Sequence, residues 1–105
     1  MVDRRITVYL SGPMTGKPAF NYPAFHAAAR HLRGKGYFVL NPAESFDGDT
    51  SRRREDYMRK DIEMLLQADI VALLPGWERS RGVAVEIAVA TELGLTLHPL
   101  EEMAF

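Results

Sequence analysis

Two carboxylates, Asp61 and Glu86, carry the strongest chemical signal in this sequence. Cleaving a glycosidic bond needs such a pair. One group attacks the sugar carbon or supports its charge, and the other moves a proton to or from the leaving group. Glu86 stands out by its surroundings. Val83, Ala84, Val85, Ile87, Ala88, Val89 and Ala90 place apolar residues on every side of it. A carboxylate in such a segment is costly to bury unless it is paired or put to use. Asp61 is less distinctive alone, because an Asp on a helix commonly faces solvent. Placement gives it weight. The run from Asp61 to Leu74, followed by Ser80-Arg81-Gly82-Val83-Ala84-Val85-Glu86, reads as helix, buried strand, loop and second helix. That unit can bring both carboxylates to one cleft beside the carboxyl end of a parallel strand, where open α/β sheets bind ligands.

Other groups gather around that cleft in the sequence pattern. Ser80, Arg81 and Gly82 precede the Glu86 helix, and helix N-termini attract anions through free N–H groups and the dipole. Ser80 equally suits the N-cap position, and the two roles are compatible. Gly12-Pro13-Met14-Thr15-Gly16-Lys17-Pro18 does not meet the P-loop pattern. It has three residues between its glycines instead of four, and Pro follows the Lys. It remains a tight turn whose N–H groups, with Ser11, are available to an anion or a sugar. Trp77 can stack on a base or cover the sheet edge. Asp69 sits at a helix-to-strand junction, where a carboxylate satisfies backbone donors. Arg52-Arg53-Arg54 reads as a solvated helix start. His26, His31 and His98 share no metal-ligand spacing, so no metal is expected, and the methionines read as core filler.

The elements that must position these groups follow from periodicity. Strands are expected over 6–10, 37–40, 70–74 and 95–97, the third a continuous apolar run typical of a central parallel strand. Helices are expected from Asn21 as N-cap, with Pro23 in the first turn and Phe25, Ala28, Ala29 and Leu32 at helical spacing, then over 52–67 and 83–93. The stripe of the second helix is Tyr57, Met58, Ile62, Leu65 and Leu66. Residues 46–51 read as loop and 100–105 as a short terminal helix. The β-α-β-α-β-α-β order predicts a flavodoxin-like or Rossmann-like doubly wound parallel sheet of four or five strands in three α/β/α layers.

Composition bounds the rest. The 105 residues suit a single domain over 1–105, and 47% hydrophobic content supports a packed core. A net charge of −1 offers no field to hold a nucleic-acid polymer. No cysteine is present, which excludes disulfides, thiolate nucleophiles and Cys-ligated zinc. The apolar run after Arg5 is too short for a signal segment or a membrane span, so the cytoplasm is the expected location.

Five blocks carry a family resemblance. They are Tyr9-Leu10-Ser11-Gly12-Pro13-Met14, Asn21-Tyr22-Pro23-Ala24-Phe25, Asn41-Pro42-Ala43-Glu44, Asp56-Tyr57-Met58-Arg59-Lys60-Asp61, and Leu74-Pro75-Gly76-Trp77-Glu78 with Ser80-Arg81-Gly82. The chain resembles the nucleoside 2-deoxyribosyltransferase superfamily, above all its small DUF4406-type members. The resemblance implies Glu86 as nucleophile and Asp61 as its assistant, orienting Glu86 or helping to protonate the leaving base. It implies a substrate-binding set of Tyr9, Ser11, Gly12, Tyr22, Trp77, Ser80, Arg81 and Gly82. Nucleoside transferases of the superfamily carry Asp six residues before the nucleophile, whereas its 5′-monophosphate N-glycosidases carry Ser, and this chain has Ser80. A carboxylate would repel phosphate there and a hydroxyl would not. Larger relatives also lend a neighbouring subunit's C-terminal residues to the site. With this sequence ending at Phe105, that contribution is expected to be missing.

The implied reaction is retaining cleavage or transfer of the N-glycosidic bond of a 2′-deoxynucleoside 5′-monophosphate through a glycosyl-Glu86 intermediate, with no cofactor. Partners are a small nucleotide or nucleoside and a second copy of the chain in a homodimer or dimer of dimers. The competing reading is a non-catalytic nucleotide-binding module, for instance for a signalling nucleotide. A structural flavodoxin-like partner protein is the third.

Overall fold

The computed structural model describes residues 5–103. Four strands, β1 (Thr7–Ser11), β2 (Phe38–Leu40), β3 (Ile70–Leu73) and β4 (Thr96–Pro99), form a sheet of order β2-β1-β3-β4 in which every pairing is parallel. Three α-helices, α1 (Tyr22–Gly34), α2 (Arg54–Leu65) and α3 (Arg81–Glu92), connect them. This is the α/β sheet expected from the alternating pattern, with four strands among the described residues.

Strand alternation sorts the core into two faces. Val8, Leu10, Ala72 and Leu74 pack with Phe25, Ala28, Ala29 and Leu32 of α1. Tyr9, Val71 and Leu73 face the other way, onto Met64 and Leu65 of α2 and Val83 and Ala90 of α3. Helices therefore cover both faces. From β1 the chain crosses to β2 over one face, then returns past β1 to β3 over the other. The strand order reverses between β1 and β3, which opens a crevice at their carboxyl ends.

Several expectations shift in detail. Helix α2 spans Arg54–Leu65, shorter than 52–67. Leu66 is 61% exposed, and the core contact falls to Met64 instead. A 3-10 stretch, Pro42–Gly48, overlaps the segment expected as loop, with Phe46 and Asp47 in left-handed conformations. The end of the chain forms a 3-10 turn, Leu100–Met103, while Ala104 and Phe105 of the expected terminal helix lie outside the described residues. Asn21 does not cap α1 through its side chain. It adopts φ 62, and its Nδ2 donates to the Pro13 carbonyl at 2.9 Å, tying the β1 loop to the helix start. Asp69 behaves as expected of a junction carboxylate, accepting from the Thr7 N–H at 2.8 Å.

Gly12 holds the top of the crevice closed on β3. A Cβ there would lie 2.7 Å from the Leu74 Cβ, and Leu74 is 1% exposed and has nowhere to go. Gly12→Ala should therefore destabilise the protein by about 1–3 kcal/mol, the usual cost of overpacking a filled core. Urea unfolding followed by circular dichroism measures it, and an unchanged midpoint would show that the loop yields freely.

Candidate active site

Glu86 lies in the second turn of α3 and is 6% exposed. Two hydroxyls from β1 reach it. The Tyr9 phenol donates to Oε2 at 2.6 Å, and the Ser11 hydroxyl donates to Oε1 at 2.6 Å. Tyr9 and Ser11 are two residues apart on a strand, so both point to the face covered by α2 and α3. Both are themselves buried. Removing a carboxylate from water costs several kcal/mol, and two short charge-assisted bonds of about 1.5–3 kcal/mol each offset much of that.

The Asp61 side chain, projecting from α2, hydrogen-bonds to Glu86 as well. Burial first, and then the charge of Glu86 and the hydrogen bond to it, push the Asp61 carboxyl up from 3.8 to about 8. Burial also raises Glu86, but bonds from Ser11, Tyr9 and Asp61 pull it back. The Tyr9 phenol is driven well above its ordinary 10.0 by burial and by the neighbouring carboxylates, so it remains a donor. The two carboxyls thus resist ionising together, and Asp61 keeps its proton well above the ordinary carboxylate range.

This arrangement has a consequence for stability. The folded Asp61 holds a proton that the unfolded chain releases. Its contribution is complete below 3.8 and is lost as pH rises to about 8. Asp61→Asn keeps the shape and a donor without the titration. The wild-type melting temperature should drop more steeply than that of the variant between roughly pH 5 and pH 8. Parallel profiles would show that Asp61 titrates normally.

Above the pair opens a cavity of about 870 Å³, within the range of small-molecule sites. Tyr9, Gly12, Tyr22, Ser80, Arg81 and Gly82 line it together with Asp61 and Glu86. Ser11 sits beneath, in contact with Glu86. Trp77 does not line it. After Gly76, at φ 88, the chain makes a 3-10 turn, and the Trp77 ring packs half-buried against the core under α2 and α3. Ser80 does cap α3, accepting from the Val83 N–H at 3.3 Å, and it faces the cavity too.

Three groups of lining residues were not singled out from sequence. Arg52 and Arg54, read there as a solvated helix start, line the cavity. So do Tyr57 and Met58, read there as core stripe. Arg54, Tyr57, Met58 and Asp61 follow i, i+3, i+4, i+7 spacing, one helical face. That spacing was visible in the sequence, and it identifies the whole wall once Asp61 is placed in the cleft. Lys17 and Phe20, from the segment before α1, line the cavity as well.

Among the described residues no His, Asp and Glu side chains converge as a metal site, and no helix is long and apolar enough to cross a membrane.

A family model described as a domain of unknown function, DUF4406, matches residues 6–98. The chain belongs to the DUF4406 family. No curated protein matches its sequence. Among solved structures it is similar to a 2-desoxiribosyltransferase from Leishmania mexicana, with TM-score 0.69 and 22% identity over 88% of this chain. The DUF4406 chain spans only 61% of that protein's length. It is also similar to a 2-deoxyribosyltransferase from Bacillus psychrosaccharolyticus, with TM-score 0.66 and 22% identity, covering 87% of this chain and 69% of the other. Family and fold are thus those that the sequence blocks resembled.

Proposed function

We propose that the protein cleaves the N-glycosidic bond of 2′-deoxynucleoside 5′-monophosphates through a covalent glycosyl-Glu86 intermediate. One observation carries the reading: Glu86 held by the Tyr9 and Ser11 hydroxyls, with the Asp61 carboxyl against it, on the wall of a nucleotide-sized cavity. A Glu86 oxygen attacks C1′ while the bond from C1′ to the base nitrogen breaks. Asp61 gives its proton to the departing base and becomes the carboxylate that the next step needs. Water then attacks C1′, the ester to Glu86 breaks, and the water proton returns to Asp61. A second base taking the place of water makes the same cycle a transfer.

Tyr9 and Ser11 are positioning residues that keep Glu86 ionised and aimed. Gly12 and Tyr22 border the sugar and base. Ser80, Arg81 and Gly82 hold the 5′-phosphate at the start of α3, where free N–H groups and the helix dipole favour an anion. No cofactor takes part. The two deoxyribosyltransferases of like fold support glycosyl transfer as the chemistry. Chromatographic detection of free base from a panel of deoxynucleosides and deoxynucleotides tests the reading. Ligand-induced thermal shift without base release would favour a nucleotide-binding module instead.

The functional unit is a homodimer or a multiple of one. Ala84, Val85 and Ala88 leave the outer face of α3 apolar and exposed, with Val85 at 43% and Leu93 nearby at 45%. A second copy of the chain is the partner that buries it. Light scattering at micromolar concentration should give a dimer mass or a multiple, and a monomer mass removes this part.

A further inference from the structure

The charges on the cavity wall are lopsided. Apart from Asp61 and Glu86, every charged residue lining it is a cation: Lys17, Arg52, Arg54, Arg79 and Arg81. They come from three separate segments of the chain. Arg52 is stacked 4.2 Å over the Phe46 ring and lies 3.8 Å from Asp49. The side chains of Lys17, Arg54, Arg79 and Arg81 have no ion-pair or hydrogen-bond partner among the described residues. Unpaired cations crowded around one cavity repel each other, and a ligand carrying several negative charges relieves that.

A monophosphate held at the start of α3 has Arg79, Ser80 and Arg81 in its own segment. Arg52 and Arg54 reach the same cavity from a different part of the chain, at the start of α2, and are left for a second anionic group.

We infer that the cavity is built for a nucleoside 5′-diphosphate: the α-phosphate at Ser80 and Arg81, the β-phosphate at Arg52 and Arg54. The inference rests on the proposed nucleotide site and extends it by a second anion subsite. Arg52, held over Phe46, is pre-positioned, and the guanidinium forks of Arg52 and Arg54 match phosphate oxygens in pairs.

Titration calorimetry of the full chain carrying Glu86→Gln, which blocks turnover, tests this with a deoxynucleoside and its mono- and diphosphates. The diphosphate should bind at least about tenfold tighter than the monophosphate in low salt, the gain expected of added charge-assisted bonds. The margin should shrink as salt rises. In the Arg52→Gln/Arg54→Gln protein the ratio should collapse toward one, with measurable monophosphate binding reporting an intact fold. Equal affinity for the two nucleotides in the parent protein overturns the inference. If wild type still releases base from monophosphates in that event, the proposed function stands alone. Tighter diphosphate binding without any base release supports the second subsite and sinks the catalytic reading.

Discussion

Glu86→Gln should abolish base release, a loss on the order of 10⁴-fold or more, because the amide has no anionic oxygen with which to form the glycosyl bond. Fold and binding should survive. The amide oxygen can accept from one of the two hydroxyls now bonded to the carboxylate, and the other hydroxyl can rotate to accept from the amide N–H. Removing the Glu86 charge also removes a repulsion toward a bound phosphate and one of the causes of the raised Asp61 carboxyl. Asp61→Asn should slow the reaction less completely, since it removes a proton donor and leaves the nucleophile. A slow 2-fluoro-substituted deoxyribosyl substrate should leave a covalent adduct on Glu86, found by peptide mass spectrometry of the wild type. Wild-type turnover in Glu86→Gln would refute the mechanism outright.

Ser80→Asp should weaken binding of a 5′-monophosphate by about 1–3 kcal/mol, the worth of a charge-assisted hydrogen bond, and binding of the matching nucleoside far less. The structure makes this substitution unusually clean. Ser80 caps α3 by accepting from the Val83 N–H, and Asp is as good an N-cap as Ser. The helix is therefore kept, while a negative charge is placed at the phosphate position and beside Arg79 and Arg81. Calorimetric titration with both ligands reads the difference. Equal losses for nucleoside and nucleotide would mean that Ser80 serves α3 alone.

Much of this protein was legible as pattern. The β-rich run at 6–10 marked the first strand, the apolar run at 70–74 marked the central strand, and an isolated Glu86 in an apolar helix marked a buried charge. These follow from local periodicity and from the cost of desolvating a carboxylate, which any chain of this order would share. The five sequence blocks led to the family by resemblance, and the family match and the shared fold agree with them.

Only the tertiary structure decided what meets what. Nothing local to β1 says that the Tyr9 and Ser11 hydroxyls, 77 and 75 residues from Glu86, bond its two oxygens. Nothing local to α2 says that the Asp61 carboxyl holds its proton far above its ordinary range, because that depends on how deeply it is buried and on the Glu86 charge beside it. The same holds for Arg52, Arg54, Tyr57 and Met58. In sequence they read as solvent face and core stripe, yet they wall the cavity because α2 runs past the carboxyl end of the sheet, where its first turns have no strand to pack on. Trp77 shows the converse. Its block marked it as a ligand contact, but the chain reversal at Gly76 turns its ring onto the core. Residue type and spacing determined the elements and the chemistry available. The crossing of β1 and β3 at the switch point determined which side chains share one low-dielectric cleft, and that sharing sets their charge states.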